Sequence, residues 1–342
     1  MSISFKSIIH KAAQAPGIYS IVRKLKAGPT VLFYHGVEEQ IVDSRVQTLH
    51  LPLHIFEEQV AYLRKHFDII SLDDFYDCVA KGHGLHPSQV IITFDDGYKN
   101  NRNIVAPYLE VLKVPFAVFV STRHIAEGLR FPTYYLRASI FYSKGRRAKI
   151  LKEEYDISTR DGKRTAIEAI SKKLKRSPQK VTAQIVKDLT ALLPKDQWAE
   201  LNHRFSSDEP MNWGEVKELH DRGAVIGSHC HDHFILHDKQ SMEEIRQQLQ
   251  TSRALIQEHV GDCKYIAYPN GGKDDIFPDS ISSVRENQYL AGFTTIDGEI
   301  ESEIAPYILP RISADMADMP HFKFAVNTCF RHNSDYRKWA AA

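Results

Sequence analysis

Short apolar runs that stop abruptly at polar residues limit what this chain can fold into. The clearest is Val90-Ile91-Ile92-Thr93-Phe94, followed at once by Asp95, Asp96 and Gly97. A run this continuous leaves no face for water, so it fits a strand buried on both sides of a parallel sheet. Residues 30–33, 115–121 and 224–227 repeat the pattern. Between such runs the period changes to that of helices. Phe56, Val60 and Leu63 share one helical face ahead of a strand expected at 68–71. Asn212 with Glu215, and Ser241 with Glu244, have the spacing of capping boxes, the second opening a long helix to about His259. Strands alternating with helices along a chain mean an α/β fold with a parallel sheet.

In such folds the chemistry lies at the C-terminal ends of the strands, which is where Asp95 and Asp96 fall. Two adjacent carboxylates repel each other unless a cation or a proton holds them. Residues 224–233 read Ala-Val-Ile-Gly-Ser-His-Cys-His-Asp-His, another apolar run ending in polar side chains. His229 and His233 are four apart, which on one helical turn puts both imidazoles on one face, able to share a metal. His231 falls on the other face and reads as a loop residue. One Asp and two His suit a catalytic divalent ion, and the second carboxylate stays free to take a proton from water. Alone, Asp-Asp-Gly is a common turn, and with 17 histidines in the chain a cluster of them can be a solvated loop. Their joint position at the ends of apolar runs favours a metal site.

At this point the sequence resembles a known family. Thr93-Phe94-Asp95-Asp96-Gly97-Tyr98 is similar to the first signature of the polysaccharide deacetylases, the carbohydrate esterase family 4 with its NodB homology domain. Ser228 to His233 resembles the second, and Ala267-Tyr268-Pro269-Asn270-Gly271 the third. Tyr34-His35-Gly36-Val37 resembles an N-terminal element of one branch. The resemblance runs from about residue 29 to about 313 and implies a deformed (β/α)7 barrel. It implies Asp95 as general base and Asp96, His229 and His233 as ligands of one divalent metal. Zinc suits that set, and nickel, cobalt and iron also accept it. The backbone around Asn270 would help hold an oxyanion, and Tyr98, Pro269, Asn270, Gly271 and Arg311 are expected to contact substrate. Many members take their general acid from a late Leu-x-His motif, for which His321 in Met-Pro-His-Phe is a poor match. The early Tyr-His element supplies it in other members, so His35 is the expected acid.

The sequence departs from the family in three places. Ala267 stands where many members have an arginine that orients the catalytic Asp. Arg311, in Leu-Pro-Arg-Ile, is a candidate substitute. Cys230 replaces a hydroxyl in the second motif. Residues 124–210 are too long for one βα connection and read as an insertion of two or three amphipathic helices, from Ile167, Ile170 and Leu174 and from Ile185, Val186, Leu189, Leu192 and Leu193. Position makes this insertion a lid or substrate wall. Its basic residues Lys172, Lys173, Lys175 and Arg176 read as a solvated face, and Arg130 to Tyr135 as an aromatic stretch for core or sugar.

The division expected is a basic amphipathic arm at 1–28 and a catalytic domain at 29–335. The arm, with isoleucines among lysines and arginines, admits peripheral contact with an anionic membrane through residues 1–27 or packing on the barrel. A net charge of +1 gives no bulk argument for nucleic acid. Four scattered cysteines and an N-terminus without an uninterrupted apolar core suggest a reducing, cytoplasmic setting, peripheral to the inner face of the membrane if the arm binds there. The expected activity is metal-dependent removal of N-acetyl groups from an amino sugar in a polysaccharide, glycan or glycolipid precursor. Hydrolysis of a non-sugar amide, as by allantoinase-like relatives, and glycan binding by a degenerate site are the alternatives. Oligomeric state is not legible.

Overall fold

The computed structural model describes residues 18–300 and 305–328. Eight parallel strands form one sheet: β1 Thr30–Tyr34, β2 Asp68–Ile69, β3 Gln89–Phe94, β4 Ala117–Val120, β5 Val225–Ser228, β6 Tyr265–Ala267, β7 Ala291–Phe293 and β8 Ile312–Ser313. Their order is β7–β6–β5–β4–β3–β1–β8, with β2 paired to the start of β3. A parallel bridge from Phe293 to Leu309, just ahead of β8, joins the two edges. Seven strands therefore make the ring of a deformed (β/α)7 barrel, with the two-residue β2 as an extra.

Side chains alternate across a strand, and the core divides accordingly. Leu32, Val90, Ile92, Phe94, Val118 and Ile226 pack in one large cluster with the helices Leu53–His66, Trp213–Asp221 and Met242–Val260. Val31, Ile91, Phe119, Tyr265 and Phe293 pack in a second cluster, with Phe75. Gly227 is required here. A Cβ at that position would meet the Phe119 ring at 2.5 Å. Both expected capping boxes form, at Asn212–Glu215 and Ser241–Glu244. The strand expected at 68–71 is shorter, because only Asp68 and Ile69 lie in register with β3 and the ladder ends at the bond from Ile70 N–H to Val90 O.

The insertion comprises helices Pro132–Tyr142, Arg160–Arg176, Gln179–Thr190 and Lys195–Arg204. Ile167, Ile170, Leu174, Ile185 and Leu189 are buried with Leu136 and Ile140 in a cluster of their own. The basic stretch after the first helix is a hairpin, Arg147–Ile150 against Glu153–Asp156. Ala148 and Ile150 are buried while Arg147 and Lys149 are exposed, a period of two that suits a strand. Of the expected N-terminal arm, residues 1–17 lie outside the described residues. No described helix is long and apolar enough to cross a membrane.

Candidate active site

The strands β1, β3, β5 and β8 end on one side of the barrel and deliver the site. Asp95 and Asp96 follow β3 directly. Asp96 adopts φ 74°, a left-handed conformation that aspartate tolerates better than most residues. The kink turns its carboxylate away from that of Asp95. Asp96 Oδ1 then lies 3.5 Å from His229 Nε2 and 3.4 Å from His233 Nε2.

The two histidines do not share a helical turn. Residues 229–233 form a loop, with Cys230 at φ 60° and His233 at φ 50°. The loop is stitched to the end of β4. Val120 O accepts from the His229 N–H, and Ser121 Oγ accepts from the His233 N–H. Tertiary hydrogen bonds replace helical ones, yet the rings still meet, their centroids 4.9 Å apart. His229 Nδ1 is 2.7 Å from Ala267 O. A proton on Nδ1 makes that bond and leaves the Nε2 lone pair facing Asp96, the arrangement a metal-binding imidazole needs. Phe131 packs edge-on against His233 and stacks on His124, which burial keeps neutral by lowering its pKa to about 4.

Four observations fit this cluster to a cation. Asp96 Oδ1 is buried and has no hydrogen-bond partner. Burial raises the Asp96 pKa, which marks a carboxylate short of positive charge. Burial, with the neighbouring His229, lowers the His233 pKa well below its ordinary value, so this imidazole is neutral and can donate a lone pair. One donor atom from each of Asp96, His229 and His233 lies within 4.8 Å of the others. In a second such group, Glu38, His50 and Asp208, His50 Nδ1 lies 3.1 Å from Glu38 Oε1 and 3.4 Å from Asp208 Oδ1, and Gln47 donates to Asp208.

Asp95 is held from across the chain. Arg311 Nη1 and Nη2 donate to its two oxygens at 2.8 and 2.7 Å. Arg311 also donates to Thr93 Oγ1 and to Thr294 O. Both residues of the pair are buried, at 0 % and 1 % exposure. Burial alone would raise the Asp95 pKa, but the guanidinium outweighs it and the carboxyl is depressed below its ordinary value. Arg311 thus takes the place left by Ala267.

His35 stands at the end of β1. Its Nδ1 is 2.5 Å from Asp315 Oδ2, and its backbone N–H donates to Asp315 Oδ1. Burial opposes the charged imidazole, but Asp315 prevails, with Asp96 and Asp95 adding to it, and the His35 pKa rises to about 9. Asp315 was missed in the sequence, although it stands two residues beyond β8 just as Asp96 stands two beyond β3.

These groups open into a cavity of about 420 Å³. His35, Asp95, Asp96, His229 and His233 line it, together with Asn270. Of the five expected substrate contacts only Asn270 does so. Tyr98 is buried behind Asp96 and hydrogen-bonds to it, its ring edge-on to His50. Arg311 is sealed in by its ion pair. Pro269 and Gly271 are buried and shape the turn that presents Asn270. Gly271 has φ +63°, and a Cβ there would meet Thr295 N at 2.8 Å. The far wall is the insertion, through residues that include Phe131, Leu136, Ser171, Leu174 and Gln179.

A parallel barrel with paired acid and base candidates around a cluster of possible metal ligands suits a hydrolase. The chain belongs to the polysaccharide deacetylase family, whose family model, described as Polysaccharide deacetylase, matches residues 83–289. Solved structures share the fold. The Streptococcus pyogenes deacetylase PplD, in complex with acetate, has a TM-score of 0.57 and 14% identity, covering 89% of this chain and 99% of its own. IcaB from Ammonifex degensii has a TM-score of 0.56 and 18% identity, covering 88% and 97%. A de-N-acetylase from Aggregatibacter actinomycetemcomitans has a TM-score of 0.51 and 13% identity, covering 83% and 94%. No curated protein sequence matches this chain.

Proposed function

We propose that this deacetylase removes the N-acetyl group of an amino sugar within a glycan, with a divalent metal as cofactor. The observation that carries the reading is the cluster of Asp96, His229 and His233, whose buried, unpartnered carboxylate oxygen calls for a cation. These three residues hold the metal. When bound, it supplies positive charge that polarises the acetyl carbonyl and makes water more acidic.

The rest is the work of the chain's own groups. Asp95 is ionised and fixed in orientation by Arg311. A carboxylate offers about four lone-pair directions and Arg311 occupies two, so the others remain for the proton of the attacking water. Attack on the acetyl carbon gives a tetrahedral intermediate, and Asn270, which lines the cavity, would offer its backbone N–H to the oxyanion. His35 is charged at neutral pH because of Asp315. It donates a proton to the leaving amine, and acetate departs. Base and acid so have pKa values pushed in opposite directions by their partners, one below the carboxylate range and one above the imidazole range.

The test is acetate release from N-acetylglucosamine oligomers by zinc-loaded protein, with Asp95→Asn and His35→Ala alongside. Acetate from wild type, cut by at least about 100-fold in each variant, is the expected result, since positioned acid–base groups contribute roughly that much. Ring opening of a small cyclic amide, with no acetate from any acetylated sugar, would overturn the sugar assignment.

A further inference from the structure

The wall of the cavity carries two cations that the catalytic chemistry does not use. Arg137 and Lys175 both line it, from the first two helices of the insertion. Neither makes an ion pair among the described residues. Their neighbours do. Lys173 pairs with Glu153, and Arg176 with Asp274 and Asp275. Arg137 is half-buried, and its guanidinium gives one hydrogen bond, to the Arg45 carbonyl at 3.1 Å. Burial lowers its pKa with no carboxylate to offset the cost.

The acids of the cavity are already spoken for. Asp95 is neutralised by Arg311, Asp232 pairs with Arg123 at 2.9 Å, and Asp96 faces the imidazoles. Lys175 is close enough for its charge to be felt at His233. The free positive charge therefore stands in the wall of the same cavity as the reacting groups. Ser171, Gln179 and Thr182 beside it offer hydroxyl and amide partners for a sugar ring.

We propose that Arg137 and Lys175 select a glycan with a negatively charged group, a carboxylate or a phosphate, adjacent to the sugar that loses its acetyl group. This inference rests on the reading that the cavity takes an acetylated amino sugar. A half-buried guanidinium without a counter-ion is costly, and an anionic substituent offsets that cost on binding. The same wall repels a chain already bearing free amines, so it discriminates against its own type of product.

The test is titration calorimetry on the zinc-loaded full-length protein with three probes of one length. They are the neutral N-acetylglucosamine tetramer, a hyaluronan tetrasaccharide bearing carboxylates, and the tetramer phosphorylated at one sugar. At low salt one anionic probe should bind about 10-fold more tightly than the neutral one, and in 0.5 M salt the preference should largely vanish. Which anionic probe is preferred distinguishes carboxylate from phosphate. In Arg137→Gln/Lys175→Gln the preference should fall towards unity. Equal binding of all three probes, no binding of either anionic one, or a preference that survives in the double variant overturns the proposal. Acetate release from the same probes separates the two readings. Anionic preference in binding with no acetate from any probe sinks deacetylation alone, whereas acetate from the neutral tetramer without anionic preference sinks the charge selection alone.

Discussion

Replacing Arg311 with methionine keeps the volume roughly constant and removes the charge that neutralises Asp95. The two side chains share bonds of 2.7 and 2.8 Å at a site with almost no solvent exposure. Their charge centres are about 4 Å apart, so at an effective dielectric constant of about 20 the attraction is roughly 4 kcal/mol. Removing one partner of a buried pair costs about 3–5 kcal/mol, mostly because the other is left uncompensated. At roughly 2.1 cal/mol/K of unfolding entropy per residue, a chain of this length has about 0.7 kcal/mol/K in all. Arg311→Met should therefore lower Tm by about 4–7 °C at pH 7.

The pH dependence gives a sharper check. In wild type the Asp95 pKa is depressed, so the pair stabilises the fold above the unfolded carboxyl pKa and loses that contribution as pH falls through the folded value. Without Arg311, burial raises the pKa against only the remaining pull of His229 and His35. The defect should then be largest at neutral pH and shrink as Asp95 takes up a proton on acidification. Arg311→Met/Asp95→Asn should recover most of the lost stability, while remaining inactive. Scanning calorimetry from pH 5 to pH 8 measures all of this. A Tm for Arg311→Met within about 1 °C of wild type at pH 7, or a double variant no more stable than the single one, would refute the reasoning.

Two further outcomes follow from the same site. The charged form of His35 is present below its raised pKa of about 9 and is lost above it, so kcat/KM should fall on the alkaline side near that value. Asp315→Asn should move that limb down towards the ordinary imidazole value of about 6.5, with a loss of roughly 30-fold at pH 8, read from a pH–rate profile. For the metal, zinc at 100 times its Kd should stabilise wild type by about 2.7 kcal/mol, or roughly 4 °C. Asp96→Asn should abolish that shift without lowering the metal-free Tm, since it removes a buried carboxylate with an unpartnered oxygen; a zinc shift retained in Asp96→Asn would rule out this ligand.

Much of the fold was readable because its determinants are local. The run from Val90 to Phe94 is apolar on both faces, and Ser241 with Glu244 spells a capping box within four residues. The hairpin at 147–156 was also written locally, in the alternation of Arg147, Ala148, Lys149 and Ile150, but its basic charge obscured the period. The helical spacing of His229 and His233 pointed to the correct juxtaposition by an incorrect route. Two left-handed residues in a loop, tied to Ser121 and Val120, bring the rings together.

The chain by itself determined which chemical groups stand at the ends of its strands, because alternation and apolar runs are short-range properties of a few neighbouring residues. Only the tertiary structure decided how those groups are paired. Arg311 meets Asp95 across 216 residues, and Asp315 meets His35 across 280. Closing the barrel brings β8 beside β1, so both partners arrive on the two flanks of the last strand. Electrostatics then divides an acid from a base by distances of a few ångströms, which no sequence spacing encodes. The same holds for Lys175 and Arg137. On a linear chain Lys175 is one of several basic residues of its helix and Arg137 the one charged residue of its own, and they become a wall only when the insertion folds over the cavity and the charges beside Lys175 are taken up elsewhere.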